Sequence, residues 1–154
     1  EQGGVGRVPL HYRAYRSSDR EACLALFDAN CPQYFSPLER NDYSQYLERQ
    51  SGDYQLCVEG DRVLGAYGVN KGEDRRCTLN WILLAPAAQG RGLGRSIMDR
   101  VREQAMAGEM SELLIAASHL SAPFFARFGA RTVRTINDGW GPDMHRVDMR
   151  LDLV

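Results

Sequence analysis

Lysine is almost missing from this chain: Lys71 stands alone, and arginine supplies the rest of the 19 basic residues set against 20 acidic ones. The net charge of −1 leaves no basic excess to displace counterions from a phosphate backbone, so nucleic acid is not an expected partner. No run of about eighteen apolar residues is present, which excludes a membrane-spanning helix. The four cysteines (Cys23, Cys31, Cys57, Cys77) are widely spaced without a C-x-x-C pair, and the three histidines (His11, His119, His145) are scattered. Clustered metal ligands are therefore not expected, and free thiols in a reducing cytoplasm are the simpler reading. The opening EQGGVGRVPL lacks both a Met and an apolar centre and reads as neither a signal peptide nor an intact start. Residues 1–6 are expected to be a disordered tail, natural or left from cloning.

What is present is enough for a core, since 44% of the 154 residues are hydrophobic. Residues 7–154 are expected to form one α/β domain. Residues 8–15 alternate as a first strand. Ser17, Ser18 and Asp19 then offer caps to a short helix that must stop before Pro32. Ser36, Pro37, Leu38 and Glu39 read as a Ser N-cap with Pro at the first position of a second helix. Residues 53–58 and 62–69 form a hairpin through Glu59, Gly60 and Asp61, and the charged turn 71–76 leads into a third antiparallel strand.

That third strand, 79–85, is a continuous apolar run closed by Pro86. Gly90, Gly92 and Gly94 follow, and Leu93, Ile97, Met98, Val101 and Ala105 recur at helical spacing as far as Gly108. Past that helix come a short buried strand at 112–117, a helix at 122–128 capped by Gly129, and strands at 130–136 and 145–153 joined by the turn-rich 137–143.

A strand, a glycine turn and a helix start make an anion site, because unpaired backbone N–H groups and the positive end of the helix dipole converge there. Arg91 and Arg95 add charge, so a phosphate or pyrophosphate fits. A P-loop would need Lys after the last glycine, and Arg95-Ser96 stands there. The dinucleotide fingerprint G-x-G-x-x-G fails because its third glycine falls on Arg95.

The remaining pattern, Q-x-x-G-x-G at Gln89, Gly92 and Gly94 after a strand ending in Ala-Pro, resembles the signature of the GCN5-related N-acetyltransferases. The element order β-α-α-β-β-β-α-β-α-β-β matches that fold, a mixed and mostly antiparallel sheet flanked by helices. A second likeness is SHLSAPFFARFGA at 118–130, similar to the family's N-x-x-A-x-x-F-Y-x-x-x-G-F segment. Ser118 replaces its Asn, Ala130 its last aromatic, and Phe125 the Tyr often assigned as general acid. Phe125 has no proton to give.

The resemblance implies acetyl-coenzyme A as cosubstrate, held by Leu84 and Ala85 on the strand end. Gln89, Gly90, Arg91, Gly92, Leu93, Gly94, Arg95 and Ser96 would hold it in the turn, and Ser118, Phe124, Phe125 and Phe128 beyond. It implies direct attack of a primary amine on the thioester. The region 31–50 would cover the acceptor, making Tyr34, Phe35, Tyr43 and Tyr46 candidate substrate contacts. No carboxylate stands on the central strand, where Thr78, Asn80 and Ile82 share one face and Leu79, Trp81 and Leu83 the other. Glu73 and His119 are the candidate bases, with Asp74 and His145 behind them. Backbone N–H groups near Leu84 and Ala85 could polarise the carbonyl.

The acceptor is expected to be a small-molecule or peptide amine. The last strand offers an edge for a homodimer. The rival reading is a coenzyme A or acyl-coenzyme A sensor of the same fold that transfers nothing.

Overall fold

A computed structural model describes residues 10–31, 33–49, 53–88 and 90–153; the tail 1–6 and Gln89 fall outside them. The elements are β1 (Leu10–Ala14), α1 (Arg20–Ala29), α2 (Arg40–Glu48), β2 (Tyr54–Glu59), β3 (Arg62–Lys71), β4 (Arg76–Leu84), α3 (Leu93–Ala107), β5 (Glu112–Ser118), α4 (Ala122–Ala126), β6 (Arg131–Gly141) and β7 (Met144–Asp152). This is the mixed α/β order expected from the sequence. All seven strands join one sheet in the order β1-β2-β3-β4-β5-β7-β6. Only β4 and β5 run parallel, because α3 carries the chain back between them. Since β7 pairs with both β5 and β6, the last strand does not offer the edge expected of it; the outer strand is β6.

Local chemistry explains the boundaries. Asp19 accepts hydrogen bonds from both terminal nitrogens of Arg13, at 2.8 Å each, and from the Arg16 N–H, which pins the start of α1 to β1. Ser36 and Glu39 form the reciprocal capping box of a 3-10 turn that leads into α2. At the end of α4 the Ala130 N–H reaches Phe125 O and the Gly129 N–H reaches Ala126 O. With Gly129 at φ +98°, this is a Schellman cap, which needs a residue free to enter the left-handed region.

Two cores lie on opposite faces of the sheet. On one, Leu93, Ile97, Met98, Val101 and Ala105 of α3 are all buried, as their spacing predicts, in a core shared with β3, β4, β5 and β7. Each large aliphatic side chain buried there contributes about 1.5–3 kcal/mol. On the other, α1 and α2 bury Phe27, Tyr43 and Leu47 against Tyr54, Leu56 and Leu83.

The central strand departs from simple alternation. Gly68 pairs with Asn80 and Ala66 with Leu83, so β4 advances three residues while β3 advances two. The extra residue is a β-bulge, with Trp81 at φ +47°. Leu79 before it faces the α3 core. Beyond it Trp81 and Leu83 face the α1/α2 core, and Ile82 and Leu84 take the α3 side. The face assignment expected for β4 is thus inverted after Asn80.

A second departure is the link 137–143, most of which is strand. Between Ile136↔Arg146 and Gly141↔Met144 the register shifts again. Asp138 and Asp143 take positive φ, and the Asp143 N–H donates to Asp138 Oδ1 at 2.8 Å. The turn-forming residues serve a wide bulge that carries Trp140 back over the sheet, where its Nε1–H donates to Ala117 O at 2.9 Å. No helix among the described residues is long and apolar enough to cross a membrane.

Candidate active site

The parallel pair is short. β4 and β5 are in register only as far as Leu79↔Ile115, although β4 continues to Leu84 and β5 to Ser118. The bulge at Trp81 turns β4 away, and the two strands part. A cavity of about 690 Å³ opens in that gap, lined from β4, β5, the glycine turn, α4, the α1–α2 link and Trp140.

Backbone donors at the strand end divide by direction. The Ala85 N–H donates to Leu64 O at 2.8 Å, so it is spent within the sheet and cannot polarise a ligand. Successive amides along a strand point to opposite sides, which turns the Leu84 N–H away from β3 and toward the gap. Leu84 lines the cavity, and its carbonyl accepts from Asn30 Nδ2 at 2.9 Å.

Gly90 and Gly92 stand at φ +81° and +77°, a region side chains resist, and a Cβ on either would meet no atom within 4 Å. Conformation, not crowding, selects glycine here. Gly92 is the N-cap of α3 and offers no capping side chain, so the first-turn amides carry the positive end of a fifteen-residue helix without an internal partner. A Cβ on Gly94 would stand 2.8 Å from Phe124 Cε1; that position is glycine because α3 packs directly on α4.

Gly90, Gly92, Leu93, Gly94 and Arg95 line the cavity, and Arg95 lies over the Phe128 ring at 5.9 Å. Arg91 and Ser96 turn elsewhere: Arg91 pairs with Glu59 at 2.8 Å, and Ser96 Oγ bonds the Tyr12 hydroxyl at 2.7 Å. Ser118, Phe124, Phe125 and Phe128 form the facing wall. Ser118 is buried and bonded to Ser121. Phe125 is only 3% exposed and belongs to the α3 core as much as to the cavity.

Of the four aromatics expected at the acceptor, Tyr34 and Phe35 line the cavity. Tyr43 does not: it is fully buried, hydrogen-bonded to the Tyr54 hydroxyl at 2.9 Å, and burial drives its own hydroxyl pKa far up. Tyr46 packs its ring on Tyr54 and its hydroxyl over Gly68, also outside the cavity lining.

Among the lining residues not anticipated are Asn30, Trp81, Trp140 and Glu39. Trp81 is brought in by the bulge, and Phe35 stacks on it at 6.1 Å. Glu39 Oε2 accepts the Ser36 N–H at 2.9 Å, and the residue is 7% exposed. Burial, with a smaller push from Asp42, raises its carboxyl to about 7 against the opposing Ser36 hydrogen bond. The sequence showed the Ser36 cap but gave Glu39 no role; the S-x-x-E spacing of a capping box is the signal that could have found it.

The two expected bases lie elsewhere. Glu73 is exposed in the turn that enters β4, at the strand end remote from the gap. His119 follows β5 but is turned from the cavity, with its ring 4.7 Å from that of His145. Its Nδ1 accepts the His145 N–H at 3.1 Å. A neutral ring so engaged carries its proton on Nε2 and has no lone pair left for a substrate proton. Among the described residues no group of His, Cys, Asp or Glu is arranged to hold a metal, and all four cysteines are unpaired.

A parallel strand pair that parts beside a glycine-capped helix, within a seven-stranded mixed sheet, defines the class: an α/β domain of the acetyltransferase kind. The chain belongs to the acetyltransferase (GNAT) family, whose model matches residues 21–130. No curated protein matches it. Among solved structures it is similar to a GNAT-family protein of Desulfovibrio desulfuricans (18% identity, 95% of this chain and 100% of that one, TM-score 0.80). It also resembles the ribosomal-protein-S18-alanine N-acetyltransferase of Escherichia coli (12%, 94% of each chain, 0.76). A third is yncA of Salmonella typhimurium, solved with its cofactor acetyl-CoA (14%, 95% of each chain, 0.70). At these identities the likeness is one of fold.

Proposed function

We propose that this protein is an acetyl-coenzyme A-dependent N-acetyltransferase in which a primary amine attacks the thioester directly. The observation that carries the reading is the cradle at Gly90–Arg95: positive-φ glycines, an N-cap without a side chain, and Arg95 on the same cavity. Such a cradle suits a pyrophosphate, and the parted strands leave an open strand edge for an extended, amide-bearing arm. Both features fit coenzyme A.

Acetyl-coenzyme A, when bound, supplies an acetyl group activated as a thioester. The first-turn amides of α3 and Arg95 hold its phosphates, and Phe124 and Phe128 give the arm an apolar wall. The Leu84 N–H, facing the gap, donates to the carbonyl oxygen as charge develops on it. No side chain need protonate the leaving sulfur, whose thiol has an ordinary pKa near about 8.5, so Phe125 in place of Tyr does not forbid turnover.

The same Phe125 is what favours the second reading, a domain that binds coenzyme A without transfer. Thiol release measured with acetyl-coenzyme A across a panel of primary amines separates the two. Amine-dependent release is expected. Binding with no release from any amine would leave the sensor.

A further inference from the structure

Resting on that reading, we propose that the acceptor is a small arylalkylamine, a single ammonium on an aromatic body with no acid group beside the nitrogen, and that Glu39 takes the ammonium's first proton.

The cavity's charges are unequally placed. Its cations, Arg95 and Arg127, lie over Phe128 and Phe124 at 5.9 and 5.7 Å, and so belong to the cofactor wall. The one acid among the described lining residues, Glu39, belongs to the α1–α2 link with Tyr34 and Phe35, and the bulged Trp81 stacks on Phe35. A carboxylate beside aromatic faces suits an ammonium attached to a ring, through ion pairing and cation–π attraction. Among the described residues that line this end, an amino acid's own carboxylate would meet no cation, and a polyamine's further ammonium would meet no second acid.

Shape limits size. Trp140, held by Ala117 O, and Gly141 close over the capping box, with a Cβ on Gly141 falling 2.5 Å from Ser36 Oγ. Gly141 and Ser36 touch, which closes the cavity on that side of the capping box and favours a compact amine.

The proton balance follows. R-NH3+ gives one proton to the Glu39 carboxylate, and the neutral nitrogen forms the C–N bond as the C–S bond breaks. The second nitrogen proton goes to the departing thiolate, and Glu39 returns its own to solvent. Burial comes first among the influences that oppose ionisation of Glu39, and Asp42 of α2 is the charged neighbour that adds to it, which keeps the carboxylate basic. Glu39 in turn pushes up the thiol of Cys31 after α1.

The test pairs each amine with its amino acid: 2-phenylethylamine and tryptamine against phenylalanine and tryptophan, with spermidine and an N-terminal phenylalanyl tripeptide beside them. Arylalkylamines are expected to exceed the others in kcat/KM by about 100-fold or more. A preference for the amino acids, the polyamine or the tripeptide overturns the proposal, whereas no release from any amine overturns the transferase reading instead. Glu39→Gln keeps an oxygen for the Ser36 N–H, so a merely capping role survives it. The expected result is acetyl-coenzyme A affinity unchanged with kcat down by about 100-fold or more, and loss of the rise in rate through about pH 7. Unchanged kcat, or an unchanged pH profile, overturns the role of Glu39.

Discussion

The two ends of the cavity are built differently. The phosphate cradle at the cofactor end is mostly backbone: glycines at positive φ and the first turn of α3, with a strand amide at Leu84 close by in sequence. The acceptor end is made of side chains from segments far apart in the chain, Glu39 from the α1–α2 link, Trp81 from a bulge and Trp140 from the β6–β7 hairpin. A backbone site depends on where side chains are absent, so its glycine spacing shows in the sequence. A side-chain site depends on register and packing, and becomes visible only when the fold is complete.

The contrast can be broken first at the cofactor end. Gly92→Glu puts a side chain at φ +77° and a negative charge where an anion should sit. Acetyl-coenzyme A affinity is expected to fall by about 100-fold or more, with far-UV circular dichroism unchanged. Retained affinity by calorimetry would show that the glycine turn is only a turn.

At the acceptor end the expected effect is smaller and depends on pH. The folded Glu39 carboxyl holds its proton to about 7, whereas an unperturbed one releases it at 4.5. The folded state therefore binds more protons across that interval, and stability is lost as pH rises through it. Glutamine does not ionise. Thermal melts should show Glu39→Gln gaining on the parent between about pH 4.5 and 7, reaching a few degrees above it at about pH 8. A difference independent of pH would mean that Glu39 is not held in a desolvated place.

The smallest effect belongs outside the cavity. His119→Ala is expected to leave kcat within about two-fold of the parent, because the imidazole already serves the His145 N–H. A large fall in kcat with acetyl-coenzyme A affinity intact would return His119 to the chemistry.

Much of the fold was legible. The five apolar positions of α3, the Ser36 cap and Gly129 each rest on local rules of spacing and backbone freedom, and each holds. What alternation alone could not show is the extra residue at Trp81, since a bulge is fixed by pairing with β3 and not by the strand's own pattern. The same holds for Trp140, whose neighbours Asp138, Gly139 and Gly141 carry turn signals that the hairpin uses for a bulge. The Ser36 cap was legible because capping is local, while the placing of Glu39 and Trp140 on one cavity depends on a segment about a hundred residues later in the chain.

The central claim is that the glycine cradle beside the parted strands binds acetyl-coenzyme A. Calorimetric titration of the parent protein with acetyl-coenzyme A, repeated with Gly92→Glu, tests it most directly. Saturable one-to-one binding that disappears in the variant is predicted. No binding by the folded parent, or equal binding by both, would contradict it.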